Sequence, residues 1–157
     1  VLEVQQALLD FQPLPTRMAL VTELGGVRFY DDSEGTNVGA SVTALLGLSE
    51  TRGVLIAGGR DKLGSYEPLV DALKQKGRAV VLIGEAADKI AAAVGDSLPV
   101  VRAADMLGAV RSAFELAQPG DAVLLSPACS SFDMFKSYAD RGDQFADAAL
   151  SLKKELS

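Results

Sequence analysis

The sequence predicts an α/β fold: a doubly wound, mostly parallel sheet with helices on both faces and an antiparallel hairpin strand near its N-terminus. Three observations carry this expectation. Short continuous apolar runs, such as Gly53 to Ala57 and Ala79 to Ile83, read as strands covered on both faces. Segments of helical period lie between them on short connections, which implies right-handed crossovers. Gly25-Gly26 separates an initial pair of apolar runs too closely for a crossover, so that pair forms a hairpin.

Taken in order, Leu2 to Phe11 reads as a short amphipathic helix, stopped by Gln12-Pro13-Leu14-Pro15-Thr16 because each proline disfavours helix at the residue before it. Met18 to Leu24 and Val27 to Tyr30 form the hairpin strands. Thr36 to Leu46 is a helix, with Thr36 or Ser33 available as N-cap. After the strand Gly53 to Ala57, a helix runs from about Tyr66 to Lys76 and closes on Gly77 at the C′ position. The strand Ala79 to Ile83 and a helix from about Glu85 to Val94 follow. Leu98 to Val101 is a short strand and Asp105 to Ala117 a helix. Pro119-Gly120 turns into the strand Ala122 to Leu125, and a long helical segment spans about Phe132 to Leu156. Neither an internal repeat nor a low-complexity stretch is present.

Composition narrows the function classes. At 157 residues the chain is one domain by length, and 48% apolar against 23% charged residues describes a globular protein. No apolar run approaches the ~18 residues needed to span a bilayer. The opening Val1-Leu2-Glu3 enters amphipathic sequence directly, so no signal peptide is expected, and one cysteine suits a reducing cytoplasm. A net charge of −6, no basic run and no Trp argue against a nucleic-acid surface. Histidine is absent, which excludes Ser-His-Asp and Cys-His nucleophiles and His-based zinc sites. Chemistry must rest on carboxylates, Lys, Arg, hydroxyls, backbone amides or groups from another domain.

Three strand ends carry the polar residues. Tyr30-Asp31-Asp32-Ser33-Glu34-Gly35-Thr36-Asn37 runs from a strand into a helix, the place where open α/β proteins hold ligands. Asp31-Asp32 suits a hard cation or a ribose hydroxyl, and equally suits a solvated strand end whose Asp caps the next turn. Gly58-Gly59-Arg60-Asp61-Lys62 resembles a phosphate loop only in flavour: neither G-x-G-x-x-G nor G-x-x-x-x-G-K-[ST] occurs anywhere. Its glycines would let a ligand approach and Lys62 would place a cation over it, or the turn is tight and Lys62 solvated. Ser126-Pro127-Ala128-Cys129-Ser130-Ser131 offers hydroxyls and amides at a helix N-terminus, suited to a carboxylate. Cys129, with no histidine to activate it, reads as a packing residue. Arg17 reads as a surface arginine, and Lys136, Asp140, Arg141, Asp143 and Lys153 as a solvated helix face.

Five segments in order resemble the C-terminal domain of a Mur ligase across nearly the whole chain: Phe11 with Leu14-Pro15-Thr16-Arg17; Asp32 to Gly39; Gly58 to Lys62; Leu125 to Lys136; and Arg141-Gly142-Asp143-Gln144-Phe145. The Asp-Ser-x-Gly-Thr-Asn form of Asp32 to Asn37 is similar to the branch that adds D-glutamate; branches adding other residues often carry a histidine there. The resemblance implies a Rossmann-like domain over 1–157, the amino-acid-binding third of a three-domain cytoplasmic ligase, with 1–16 as the end of a linker. It implies a partner domain for UDP-N-acetylmuramoyl-L-alanine and a P-loop domain for ATP and Mg²⁺. The family reaction, part of peptidoglycan synthesis, activates the muramoyl-alanine carboxylate as an acyl phosphate, which the D-glutamate amine attacks.

By the same resemblance Thr36 and Lys62 grip D-glutamate, and Ser131, Phe132 and Tyr138 hold its other end. Arg17 and Asp32 reach ATP, Asn37 has no assigned role, and no residue of this domain alone is catalytic or a metal ligand. The chain would be a monomer, inactive by itself. Three positions depart from the family: Glu34 stands where lysine is usual, Tyr138 where phenylalanine is frequent, and Thr16 where histidine is common. A carboxylate at 34 beside an anionic ligand would cost roughly 1 kcal/mol at partly exposed contact distance. Two other readings stay open: a folylpolyglutamate-synthase-like ligase domain, whose usual histidine-bearing motif is missing, and a free-standing Rossmann-like binding or regulatory module built around Asp31-Asp32.

Overall fold

The computed structural model describes residues 18–61, 64–130 and 134–156. The helix expected over Leu2 to Phe11, the linker over 1–16 and Arg17 lie outside them, as do Lys62, Ser131 and Phe132.

Six strands form one sheet in the order β1-β2-β6-β3-β4-β5. The hairpin strands β1 (Ala19–Leu24) and β2 (Val27–Asp31) pair antiparallel. β3 (Gly53–Gly58), β4 (Gly77–Ile83), β5 (Val100–Arg102) and β6 (Ala122–Leu125) continue in parallel. Gly25 and Gly26 close the hairpin at φ 58° and 80°, both left-handed as a two-residue turn between twisted strands requires.

Five helices fall within the described residues: α1 (Val38–Leu46), α2 (Glu67–Lys76), α3 (Ala87–Val94), α4 (Met106–Leu116) and α5 (Tyr138–Leu156). Every residue of β3 and β6 is buried, as continuous apolar strands between two helical layers must be. The two-residue period sorts them onto opposite cores. Leu55, Ala57, Val80, Leu82 and Leu124 meet Leu45, Leu69, Leu73, Ile90 and Val94 from α1, α2 and α3. Val54, Ile56, Val81, Ile83, Val123 and Leu125 meet Met106 and Val110 of α4 and Phe145 and Leu152 of α5. The chain therefore steps outward from β3 to β5 beneath α2 and α3, then returns under α4 to place β6 beside β3. The helices after β3 and β6 leave to opposite faces, which makes β3/β6 the topological switch point where such sheets open a crevice.

Element boundaries shift where capping decides them. Asn37, not Thr36 or Ser33, caps α1: its backbone is extended and its side chain accepts the Ala40 N–H at 2.8 Å. Asp105 likewise accepts the Gly108 N–H, so α4 begins at Met106. Gly77 is not a left-handed C′ residue. It is extended at φ −82°, ψ 140° and is itself the first residue of β4, so helix passes to strand with no loop. α5 begins at Tyr138, six residues after the expected start. Ser137 Oγ there accepts the Asp140 N–H, and the Asp140 carboxylate accepts the Lys136 N–H.

Candidate functional site

β2, β6 and β3 run parallel and end at one rim, with Asp31 beside Leu125 and Leu125 beside Ile56. Their three loops are tied by main-chain bonds. Asp32 N–H donates to Leu125 O at 2.8 Å and Ala128 N–H to Gly35 O at 2.8 Å. Gly58 N–H donates to Pro127 O at 2.9 Å and Arg60 N–H to Ser130 O at 3.0 Å. Close approach demands glycine at Gly58 and Gly59, at φ 122° and 139°, where a Cβ would strike Ile83 O and Ser130 O respectively. Ala128 takes a left-handed φ of 64°, a cost of order 1 kcal/mol for a residue bearing a Cβ, sustained where its N–H meets Gly35.

Beneath this rim Ser126, fully buried, donates its hydroxyl proton to Asp32 Oδ2 at 2.7 Å, and Ser41 of α1 donates to Ser126 O at 2.9 Å. Asp32 is only 2% exposed, so it is no solvated strand end. Asp31 does cap the turn, accepting the Ser33 N–H at 2.9 Å. Burial raises its carboxyl above the ordinary aspartate value; the Ser33 bonds and the charge of Arg141 work the other way. The Ser126 to Ser130 stretch, expected at a helix N-terminus, precedes α5 by several residues, and its first hydroxyl is turned inward.

A second cluster borders the β3–α2 loop. Tyr66 donates to Asp61 Oδ1 at 2.9 Å and lies 3.4 Å from Cys129 Sγ. Lys89 pairs with Asp61 at 3.2 Å and stands 5.7 Å above the Tyr66 ring. Burial foremost, then the neighbouring thiol and Asp61, push the Tyr66 phenol far up, so it stays a donor. Cys129 is buried, as its packing role requires.

Two hollows open on the rim. One of 220 Å³ lies between Asn37 and Val38 at the start of α1, Gly64, Ser65 and Tyr66 of the β3–α2 loop, and Ala128. The other, 460 Å³ and mainly apolar, is lined by Met18, Asp32, Asn37, the small residues Gly39, Ala40, Thr43 and Ala44 of α1, and Gly47 just beyond its end. No group of three Asp, Glu, Cys or His side chains suited to an ion occurs among the described residues.

Of the residues singled out by sequence, Thr36 is half-buried at the rim, Asn37 spans both hollows, and Glu34 is exposed. Tyr138 opens α5 and is 48% exposed. Lys62, Ser131, Phe132 and Arg17 lie outside the described residues, yet Arg60 and Ser130, near Lys62 and Ser131 in the chain, are paired. Two residues escaped the sequence reading. Tyr66 was taken only as a helix start. Arg141, expected on a solvated face, is fully buried, its Nη2 donating to Ser33 O at 3.2 Å. The available signal was Gly142: a glycine inside a helix marks close packing, and a Cβ there would crowd Ser33 Oγ at 2.6 Å and Asp31 Oδ2 at 2.8 Å.

Residues 16–129 match the family described as Mur ligase, glutamate ligase domain. The chain is 51% identical over 149 residues to the UDP-N-acetylmuramoylalanine–D-glutamate ligase of Nitrosospira multiformis, covering 94% of this chain and 31% of that protein. It is 53% identical over 144 residues to the ligase of the same name from Bordetella parapertussis, covering 90% and 28%. The chain thus spans about 30% of the length of these relatives. Among solved structures it superposes, at TM-score 0.59 and 16% identity, on a domain of a putative UDP-N-acetylmuramate:L-alanyl-gamma-D-glutamyl-meso-diaminopimelate ligase from Haemophilus ducreyi, covering 90% of this chain and all of that one. It also superposes, at TM-score 0.52 and 17% identity, on MurF ligase from Thermotoga maritima solved with ADP, covering 87% and 31%.

Proposed function

The chain belongs to the Mur ligase family, in the part described as the glutamate ligase domain, and we propose that it presents D-glutamate to an acyl phosphate within an ATP-dependent, amide-forming ligase of peptidoglycan synthesis. The acceptor is UDP-N-acetylmuramoyl-L-alanine, in line with the muramoylalanine substrate in the relatives' name. The γ-phosphoryl group of ATP passes to its alanyl carboxylate with release of ADP, the D-glutamate amine attacks the acyl carbon, and phosphate leaves as the amine gives up a proton and the amide forms.

The observation that carries this reading is the knitting of three loops at one rim, Gly35 to Ala128 and Arg60 to Ser130, around the start of α1. In the proposal Thr36 and Lys62 bind one end of D-glutamate and Ser131, Phe132 and Tyr138 the other. A lysine, hydroxyls and a helix N-terminus suit a dicarboxylate. Asp32 and Arg17 take the nucleotide: Asp32 and Met18 wall the larger hollow, whose apolar lining beside one carboxylate fits a nucleoside. Mg²⁺ would be held, with most of ATP, by the parts of the ligase that lie outside this chain, and no step here depends on it. A receiver-like module is disfavoured: β3 ends on Gly58-Gly59, and Asp61 beyond it is held by Tyr66 and Lys89. The ligase works as a cytoplasmic monomer.

Titration of the 157-residue chain with D-glutamate, followed by amide NMR, tests the reading. Saturable shifts at Thr36, Lys62 and Ser131, absent with L-glutamate, are expected; shifts confined to the β1 edge, or none at 50 mM, would refute it.

A further inference from the structure

We propose that Arg141 is a positioning residue whose guanidinium, entering from the first turn of α5, sets the separation of the β2–α1 and β3–α2 loops and so the gap that D-glutamate must span. The inference rests on the function proposed above. Arg141 is fully buried, with Nη2 on Ser33 O at 3.2 Å. Nη1 stands 3.2 Å from the point where a Cβ on Gly59 would sit, so the same fork lies against the second loop. Its neighbour Gly142 lets α5 approach until only a hydrogen fits between that helix and the Asp31 and Ser33 side chains.

Packing alone would not select this side chain. An arginine remains charged however deeply it is buried, and an apolar side chain of its volume fills the same space without the desolvation cost. What the guanidinium adds is direction. Its planar fork donates at fixed angles, which holds the Ser33 carbonyl inward three residues before Thr36. Its other arm lies against the glycine turn three residues before Lys62. Arg141 follows Tyr138 by three residues, so one helical turn relates the aromatic contact to both loops.

The test is steady-state kinetics of the full-length ligase carrying this sequence, with Arg141→Met and Arg141→Lys compared to the unaltered protein. With Arg141→Met the KM for D-glutamate rises at least tenfold while kcat and the KM for ATP stay within threefold; Arg141→Lys, which keeps the charge but not the fork, falls between. A variant that merely folded less well would lose kcat and keep KM. If Arg141→Met does not fold, Arg141→Lys decides, with a rise of threefold or more expected. An unchanged KM for D-glutamate in a folded variant, or equal rises for D-glutamate and ATP, overturns the proposal. An unaltered protein that does not use D-glutamate at all overturns the function reading instead.

Discussion

Ser126 is the hub of the buried rim, because its one proton reaches the Asp32 carboxylate while its carbonyl receives Ser41. Ser126→Ala removes a buried hydrogen bond to a carboxylate, and the expected loss is about 1–3 kcal/mol by urea unfolding. Asp31 behaves differently. Its folded pKa lies above the unfolded value of 3.8, chiefly through burial, so the native state binds the proton more tightly. Its contribution is therefore greatest at low pH and declines as pH rises from about 3.8 through the raised folded value. Asp31→Asn retains the acceptor for the Ser33 N–H and removes that dependence. The stability of the variant relative to the native sequence should rise between pH 4 and pH 7; a flat or falling difference in paired urea titrations would contradict the assignment. Glu34 is exposed beside the Thr36 turn, its carbonyl accepting the Thr36 N–H at 2.8 Å. A cation this close in the chain to Thr36 favours an anionic ligand there, so Glu34→Lys should tighten D-glutamate several-fold, roughly 1 kcal/mol, read by the same NMR titration.

At the scale of elements, the hairpin, the buried strands and the alternation were legible because each follows from local rules: paired glycines, unbroken apolar runs, short connections. Helix starts were less so, since several polar residues compete to cap. Asn37 outcompeted Thr36 and Ser33 because its extended backbone aims its side chain at the Ala40 N–H. Asn37→Ala should therefore destabilise the chain by about 1 kcal/mol, whereas Thr36→Ala should not, in thermal or urea unfolding. The start of α5 was misplaced for a related reason: the run after Ser130 has helical composition, but Ser137 and Asp140 set the first turn. Arg141 was illegible in principle, because a charge at helical spacing looks identical whether it meets water or two loops from another part of the chain. The rim was legible as three polar strand ends, but their union depends on β6 inserting between β2 and β3, which no local rule supplies.

For the whole molecule, the distribution of parts predicts what it can do alone. The chain spans about 30% of the length of its ligase relatives and carries no P-loop sequence, so the purified 157-residue chain should show no ATP hydrolysis and no ligation. Phosphate release above background from the homogeneous chain would overturn this. The loops that make the rim are joined chiefly main chain to main chain: Asp32 to Leu125, Ala128 to Gly35, Gly58 to Pro127, Arg60 to Ser130. Such a lattice tolerates change in the side chains that face outward from it, provided the two glycines and the buried Ser126 and Arg141 contacts persist. Substitution can then rewrite the rim's vocabulary without disturbing its grammar. A domain from a ligase of different named specificity can thus share the architecture at 16% identity.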